Sequence, residues 1–391
     1  MIPPKHQKVC FEESRSGEFL RDLLSQHGCK DVLFVTGKAS YELSGAHSFV
    51  TKELSGLNAV YFSDFLPNPS VEDLERGLSF LKKVSPDYVI AVGGGSVLDM
   101  AKLMVFFGSI NRAPRTYLSS PARLDSNSGA VPLCAIPTTA GTGSEATQFA
   151  VLYDGKIKHS VADPSILPDA VILNPSLTEG SSSYITACAG MDAFAQGVES
   201  FWAVGSTEES RGYAEKAIEL SLKWLEKAVL NPDFESRMKM QRAAYWAGRS
   251  INISKTTASH AMSYALTAHY GVPHGHAVSL TLADVLLANA KVTENSCNDP
   301  RGAVYVRSVM ERLFLLLGCA DADGAAQVVR DLISGIGLTN SWMSERGVDA
   351  KDVVEKVAQE VSQERLSNNP CQIDETLLRA IVMHSCLHNM S

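Results

Sequence analysis

At 391 residues the chain is longer than one hydrophobic core usually serves, so two domains are expected. Hydrophobic residues at 45% with charged residues at 20% exclude both a disordered and a membrane-embedded chain. The formal net charge of -8, with no Lys/Arg-rich run, excludes a nucleic-acid or anionic-membrane footprint and favours small-molecule partners.

The first third alternates strand-like runs with helical stretches. DVLFVTG (31–37) and NAVYFSDF (58–65) read as strands, 71–84 as an amphipathic helix, and DYVIAVGGG (87–95) as a strand apolar enough to be buried on both faces. Ser70 is placed to cap the helix, with Glu72, Asp73 and Glu75 in its first turn, where acidic groups suit the helix dipole. A further apolar run, 131–139, ends in the small polar string AGTGSEAT, and 149–163 reads as a hairpin. This rhythm predicts an α/β domain with a parallel, Rossmann-like sheet. From about Ser183 onward strand signals fade and helix follows helix, which predicts an all-α second domain. The Asn-Pro and Gly-Ser-Ser-Ser content of 173–183 marks the boundary, giving domains of 1–180 and 181–391, with serines 181–183 also placed to cap the next helix.

Gly93, Gly94 and Gly95 close a buried strand and Ser96 opens a helix, so backbone N–H groups and a helix N-terminus point at one place, which suits a pyrophosphate. Glycines also serve plain turns. Asp99, one turn into the helix, approaches from the same end, and Lys102 reads either as a phosphate neighbour or as a solvated face residue. After the next strand, Thr138, Thr139, Thr142 and Ser144 put hydroxyls on a glycine-softened loop able to hydrogen-bond a nucleotide; GTGSEA within it is a weak match to the dinucleotide fingerprint.

The second domain carries candidate metal ligands. Asp192 and Gln196, four apart, project from one helix face, while His260 lies on another helix and His274 follows a Gly-Val-Pro turn, with His269 and His276 nearby. Two imidazoles and a carboxylate suit zinc or iron(II). Read singly, each histidine is equally a cap or core residue and Asp192 a helix N-terminal carboxylate.

Six ordered motifs then give the chain a family likeness: NPS at 68–70, GGGSVLDMAK at 93–102, PTTAGTGSEAT at 137–147, the Lys158 segment before a DP and LP pair, GMDA at 190–193 and VPHGHAV at 272–278. Together they resemble the iron-containing (group III) alcohol dehydrogenases along nearly the whole chain. The resemblance implies a dinucleotide-binding α/β domain and a helical metal-binding domain of the dehydroquinate synthase-like type, with the site in the cleft between them, and dimers or larger homo-oligomers. It implies metal ligands at Asp192, His260 and His274, with Gln196 standing where the family has a fourth ligand, a histidine. A glutamine carbonyl is a harder and weaker donor than imidazole, so the metal, iron, zinc or manganese, stays open. Tyr264 stands where many relatives carry a proton-transferring histidine; its ordinary pKa of about 10 makes it a poorer shuttle at neutral pH.

The same resemblance puts NAD(P)H against Gly93–Ser96 and the 138–142 threonines and Lys158 near the cofactor ribose, with His276 a further candidate for polar support beside His274. Gly37, followed by Lys38, replaces an aspartate common in NAD-preferring relatives, which leaves NADH and NADPH both open. Around Gln196 and Tyr264 the sequence is similar to a narrower group, the phosphonoacetaldehyde and sulfoacetaldehyde reductases. The expected reaction is therefore reduction of a small anionic two-carbon aldehyde to its alcohol, isethionate or 2-hydroxyethylphosphonate, with a slight preference for the sulfonate. Arg211, Ser206, Thr207, Tyr264 and His276 are the candidate donors for the anion, although Arg211 equally suits an i,i+3 pair with Glu208. The rivals are a general short-chain alcohol or diol dehydrogenase, a lyase of the dehydroquinate synthase type, disfavoured by the absence of a basic side-chain set around the motifs, and a metal-free NAD(P)-binding sensor.

The remaining expectations concern compartment. No run of about eighteen apolar residues occurs, and the first residues carry prolines and charges where a signal peptide would be apolar. Eight scattered cysteines without a C-x-x-C predict reduced thiols. The expectation is a cytoplasmic protein.

Overall fold

The computed structural model describes residues 6–54, 56–110, 112–120, 130–155 and 157–388. The chain divides into two compact units, Met1–Ser181 and Ser182–Ser391. No described helix is long and apolar enough to cross a membrane.

Among its described residues the first unit holds eight strands: β1 (Lys8–Cys10), β2 (Asp31–Thr36), β3 (Asn58–Phe62), β4 (Tyr88–Gly93), β5 (Leu133–Pro137), β6 (Phe149–Asp154), β7 (Ile157–Ala162) and β8 (Ala170–Ile172). Six form an all-parallel sheet in the order β1-β8-β5-β4-β2-β3, while β6 and β7 make a separate antiparallel hairpin. Every residue of β4 is buried, as its unbroken apolar sequence requires of a strand covered on both faces. The Val71–Val84 helix starts where expected. Ser70 Oγ accepts from Asp73 N at 3.1 Å and the Asp73 carboxylate accepts from Ser70 N at 3.0 Å, a reciprocal cap.

Chain order fixes where a ligand can enter. From β2 the chain steps outward to β3, and from β4 it steps the other way to β5, so the strand order reverses between β2 and β4. Open α/β sheets bind ligands at the carboxyl ends of strands flanking such a reversal. Gly37 follows β2, Gly93–Gly95 end β4 and Thr138–Thr142 follow β5, so the predicted cofactor segments share one end of three adjacent strands. Strands β1 and β8, three residues each, were not foreseen in the sequence; they are too short to display a period.

In the second unit every described regular element from Ser183 onward is helical. Its central rod, Ser183–Trp202, is capped by Ser182 and buried from Met191 through Trp202 without a break, so it is encircled by neighbours. The Glu208–Leu230 and Phe234–Ser254 helices pack on it and on each other. The two histidine helices, Ala258–Tyr270 and His274–Ala290, follow with only three residues between them.

Candidate metal and cofactor sites

On the central rod, Asp192, Gln196 and Glu199 stand at i, i+4 and i+7 and so share a face. His260 comes from the third residue of its helix and His274 from the first residue of the next. One ligand atom each from Asp192, His260 and His274 lies within 4.8 Å of the others. His260 Nε2 is 3.3 Å and His274 Nε2 4.0 Å from the same oxygen, Asp192 Oδ1. Asp192 and His260 are buried, whereas the His274 side chain is 35% exposed, so the cluster is closed on one side and approachable on the other.

Gly275 makes this convergence possible. A Cβ there would collide with the Cys188 carbonyl oxygen and lie 2.9 Å from Asp192 Cβ, so only glycine lets the His274 helix start against the rod.

The imidazoles are aimed by groups the sequence reading missed. Glu199 Oε2 takes His260 Nδ1 in a short contact, and its other oxygen accepts from Thr257 Oγ1 and Ser259 N, each at 2.8 Å. Trp202 Nε1 donates to Thr257 Oγ1 at 2.9 Å, extending the chain of bonds. Ser263 donates to the His260 carbonyl at 2.8 Å and meets His274 Nδ1 at 3.3 Å. With both Nδ1 atoms engaged, both Nε2 atoms turn toward Asp192, the arrangement that holds imidazole lone pairs ready for a divalent cation. Burial opposes charge here. It acts to raise the Asp192 and Glu199 carboxyls, yet the histidines and hydrogen bonds outweigh it and hold both below the usual carboxylate range. The donor set fits iron(II), zinc or manganese. The spacing that could have revealed Glu199 is the seven-residue step from Asp192.

Gln196 is buried and donates Nε2–H to Asp192 Oδ1 at 3.0 Å. In this orientation it braces the aspartate; a half-turn of its planar amide exchanges nitrogen for oxygen and presents the carbonyl instead. Tyr264 stacks on His274, with ring centroids 6.0 Å apart and planes 12° from parallel. His276 is buried with Nδ1 3.1 Å from the Tyr184 hydroxyl, and burial drives its pKa down to about 4 against the pull of the Thr339 backbone. It is a neutral imidazole near pH 7.

The proposed anion donors separate into two groups. Arg211, only 2% exposed, bonds Ser206 Oγ at 2.6 Å, the Glu208 carboxylate at 3.2 Å and the Tyr305 hydroxyl, while Thr207 caps the Glu208–Leu230 helix through Ser210 N. Arg211, Ser206 and Thr207 therefore close the turn after the rod, and the i,i+3 pair with Glu208 is present. Of the remaining candidates, Tyr264 stacks on His274, and His276 turns to Tyr184 from two residues farther along the His274 helix.

In the first unit the two loops expected to hold the cofactor are tied together. Thr138 N donates to the Gly93 carbonyl at 3.0 Å, and a Cβ on Gly95 would lie 2.8 Å from Thr142 Cγ2. A Cβ on Gly94 would meet Thr139 at 3.5 Å, and one on Gly37 would strike the Ser40 hydroxyl. Gly94 caps the 15-residue Gly95–Ser109 helix, leaving its first N–H groups at the loop. The GTGSEA stretch instead enters a short 3-10 turn, Ser144–Ala146, and then β6, so it opens no helix and is not a dinucleotide fingerprint. Ser96 Oγ accepts from Asn68 N at 3.0 Å, drawing in the NPS segment.

Asp99 and Lys102 lie beneath these loops. Asp99 accepts from Ser144 Oγ at 2.5 Å and from Val151 N at 3.0 Å. Lys102 is fully buried and neither of its expected roles holds. Its Nζ donates to the Ser144 carbonyl at 2.8 Å, Thr147 Oγ1 at 2.9 Å and the Phe149 carbonyl at 2.5 Å, and contacts Ser144 Oγ at 3.1 Å. Burial lowers its pKa to about 8, while Asp99 and Glu145 resist the shift. Lys158 is half-buried on β7 opposite Tyr153.

A family model described as iron-containing alcohol dehydrogenase matches residues 7–175, and one described as the C-terminal part of the Fe-containing alcohol dehydrogenase family matches 186–386. A phosphonoacetaldehyde reductase from Streptomyces viridochromogenes is 36% identical over 76% of this chain and 76% of its own. An NAD-dependent methanol dehydrogenase from Bacillus methanolicus is 32% identical over 84% of this chain and 85% of its own. The crystal structure of a sulfoacetaldehyde reductase from Bifidobacterium kashiwanohense in complex with NAD+ superposes with a TM-score of 0.83 at 28% identity, covering 98% of this chain and 97% of that one. Both halves of the sequence, the sheet order and the Asp-His-His cluster thus converge, and the chain belongs to the iron-containing alcohol dehydrogenase family.

Proposed function

We propose that this alcohol dehydrogenase reduces a small aldehyde carrying a strong anion, sulfoacetaldehyde or phosphonoacetaldehyde, to the corresponding alcohol at the expense of NAD(P)H. The observation that carries the metal-dependent part is the Asp192–His260–His274 cluster with both imidazoles oriented by Glu199 and Ser263. The 36% identity to a phosphonoacetaldehyde reductase and the likeness to a sulfoacetaldehyde reductase support the substrate class.

When bound, a divalent metal supplies Lewis acidity at the carbonyl and the reduced nicotinamide supplies the hydride. The chain's own residues do the rest. Asp192, His260 and His274 hold the ion, and Gln196 steadies the aspartate or lends its carbonyl. Tyr264, fixed against His274, offers a hydroxyl to substrate or to a proton relay, and His276 offers a neutral imidazole. Gly93–Ser96 and Thr138–Thr142 hold the dinucleotide, Gly37 leaves room at its ribose end, Lys158 lends a cation, and Asp99 sets the loop from below.

An aldehyde panel tests the substrate: sulfoacetaldehyde, phosphonoacetaldehyde and propanal, each with NADH and NADPH and with added iron, zinc or manganese. The expected result is a kcat/KM at least tenfold higher on an anionic aldehyde than on propanal. Equal values would leave a general short-chain alcohol dehydrogenase as the better reading.

A further inference from the structure

Two cysteines to which no role has been assigned above face each other. Cys297 and Cys371 form an isolated antiparallel bridge, flanked by Gln372 N donating to the Ser296 carbonyl at 2.7 Å and Asn298 N donating to the Pro370 carbonyl at 2.9 Å. Bonds on either side, with none between the pair, make it a non-hydrogen-bonded site, where Cα atoms stand about 4.5 Å apart and both side chains leave on the same face. That spacing lies within the range a disulfide spans. Both thiols are free, Cys371 buried and Cys297 half-buried.

The segment bearing Cys371 touches the ends of all three helices that carry the Asp-His-His cluster. Past the C-terminus of the Ser183–Trp202 rod, Asn368 accepts from Val204 N at 2.9 Å through its carbonyl and from Gly205 N at 3.0 Å through Oδ1. Just before the His260 helix, its Nδ2 donates to the Ser254 and Thr256 carbonyls at 2.9 and 3.0 Å. Asn369, fully buried, exchanges amide bonds with Asn289 in the last turn of the His274 helix, at 2.7 and 3.3 Å, and its carbonyl accepts from Asn298 Nδ2 at 3.0 Å. Residues 368–371 are a clasp, and the Cys297 segment is the strand it closes against.

We propose that Cys297 and Cys371 form a reversible disulfide that locks this clasp and thereby slows the opening of the three ligand-bearing helices. The oxidant is a peroxide. The sulfur of the more accessible Cys297 attacks the peroxide oxygen, the O–O bond breaks, and water leaves a sulfenic acid. The Cys371 sulfur then attacks the Cys297 sulfur, the S–O bond breaks, and a second water departs with the thiol proton. Two thiols have been oxidised and one peroxide reduced to two waters. A dithiol reverses the bond by exchange.

The test uses the full chain loaded with iron. Hydrogen peroxide is added to wild type, Cys297→Ser, Cys371→Ala and the control Cys319→Ser, followed by non-reducing digestion with mass spectrometry, thermal unfolding and the rate of iron removal by a chelator. In wild type and Cys319→Ser, a peptide linking 297 to 371 forms. Wild type falls from eight titratable thiols to six. Tm rises by about 5 °C, iron removal slows several-fold, and dithiothreitol reverses all of it. Cys297→Ser shows none of these changes, and keeps the test open should the buried Cys371→Ala fold poorly. Oxidation without the 297–371 peptide overturns the proposal, as does the peptide with Tm and removal rate unchanged. Neither thermal unfolding nor the cross-link depends on which aldehyde is reduced.

Discussion

Glu199 is a fully buried carboxylate whose negative charge is matched by the His260 imidazole and by hydrogen bonds from Thr257 and Ser259. Replacing it with glutamine keeps the volume while removing the charge that raises the basicity of His260, and metal affinity is expected to fall by about 10–100-fold. Competition with a fluorescent chelator measures this; unchanged affinity would reduce Glu199 to a packing residue. Lys102 gives a prediction in pH. Burial pushes its folded pKa down to about 8, below the ordinary lysine value of 10.5, so the folded state sheds this proton before the unfolded chain does. The cost of burying the ammonium is fully present below pH 8 and fades as pH rises toward 10.5, by on the order of 3 kcal/mol in total. The stability of wild type relative to Lys102→Met, from urea unfolding at a series of pH values, is therefore expected to climb across that window. A flat difference would mean that Lys102 keeps its proton through it. Neither side chain was legible in the sequence as what it is, because a charge reads as exposed until its burial partners are known, and the hydrogen-bond acceptors of Lys102 lie more than forty positions away.

Elements whose signal is local were readable, and elements defined by pairing were not. The Val71–Val84 helix carries its own cap and periodicity, and β4 its own apolar run, so both follow from their residues. Strands β1 and β8 exist because Lys8–Cys10 and Ala170–Ile172 pair with each other across most of the first unit, a fact no window of sequence contains. The expected metal ligands lie between these extremes: Asp192 and Gln196 share a helix face by spacing alone, while His260 and His274 reach them only through helix packing, so a family likeness was needed to join them. Gly275 is where that packing is decided. Alanine at a solvent-exposed second helical position would favour the helix by about 1 kcal/mol. Here its methyl would press into the Cys188 carbonyl, so Gly275→Ala is expected to destabilise the protein by about 1–3 kcal/mol and to lower its metal content after purification. A variant more stable than wild type, by denaturant unfolding, would show that the helix starts farther from the rod.

At the scale of the whole molecule, the change from alternating strands and helices to helices alone put the expected boundary at 180/181, and the two compact units divide at Ser181/Ser182. This division gives each unit its own reporter. All four tryptophans, Trp202, Trp224, Trp246 and Trp342, lie in the helical unit together with Asp192, His260 and His274, whereas the glycine and threonine loops lie in the other. Tryptophan fluorescence, excited selectively so that the sheet tyrosines Tyr61 and Tyr88 stay silent, therefore follows the unfolding of the unit expected to hold the metal. A ligand that binds only the folded state stabilises it by about 2.7 kcal/mol at a hundred times its dissociation constant, which in a unit of this size corresponds to a rise of about 5–10 °C. Iron or zinc added to chelator-stripped protein should raise the fluorescence-detected transition by that amount, and stripping should lower it again. His274→Ala, which removes a ligand from the approachable side of the cluster and leaves the buried Asp192–His260–Glu199 contacts in place, should fold and show no such rise. An equal rise in His274→Ala would place the stabilising metal elsewhere in the helical unit, and no rise in wild type would remove the metal from the account of this site.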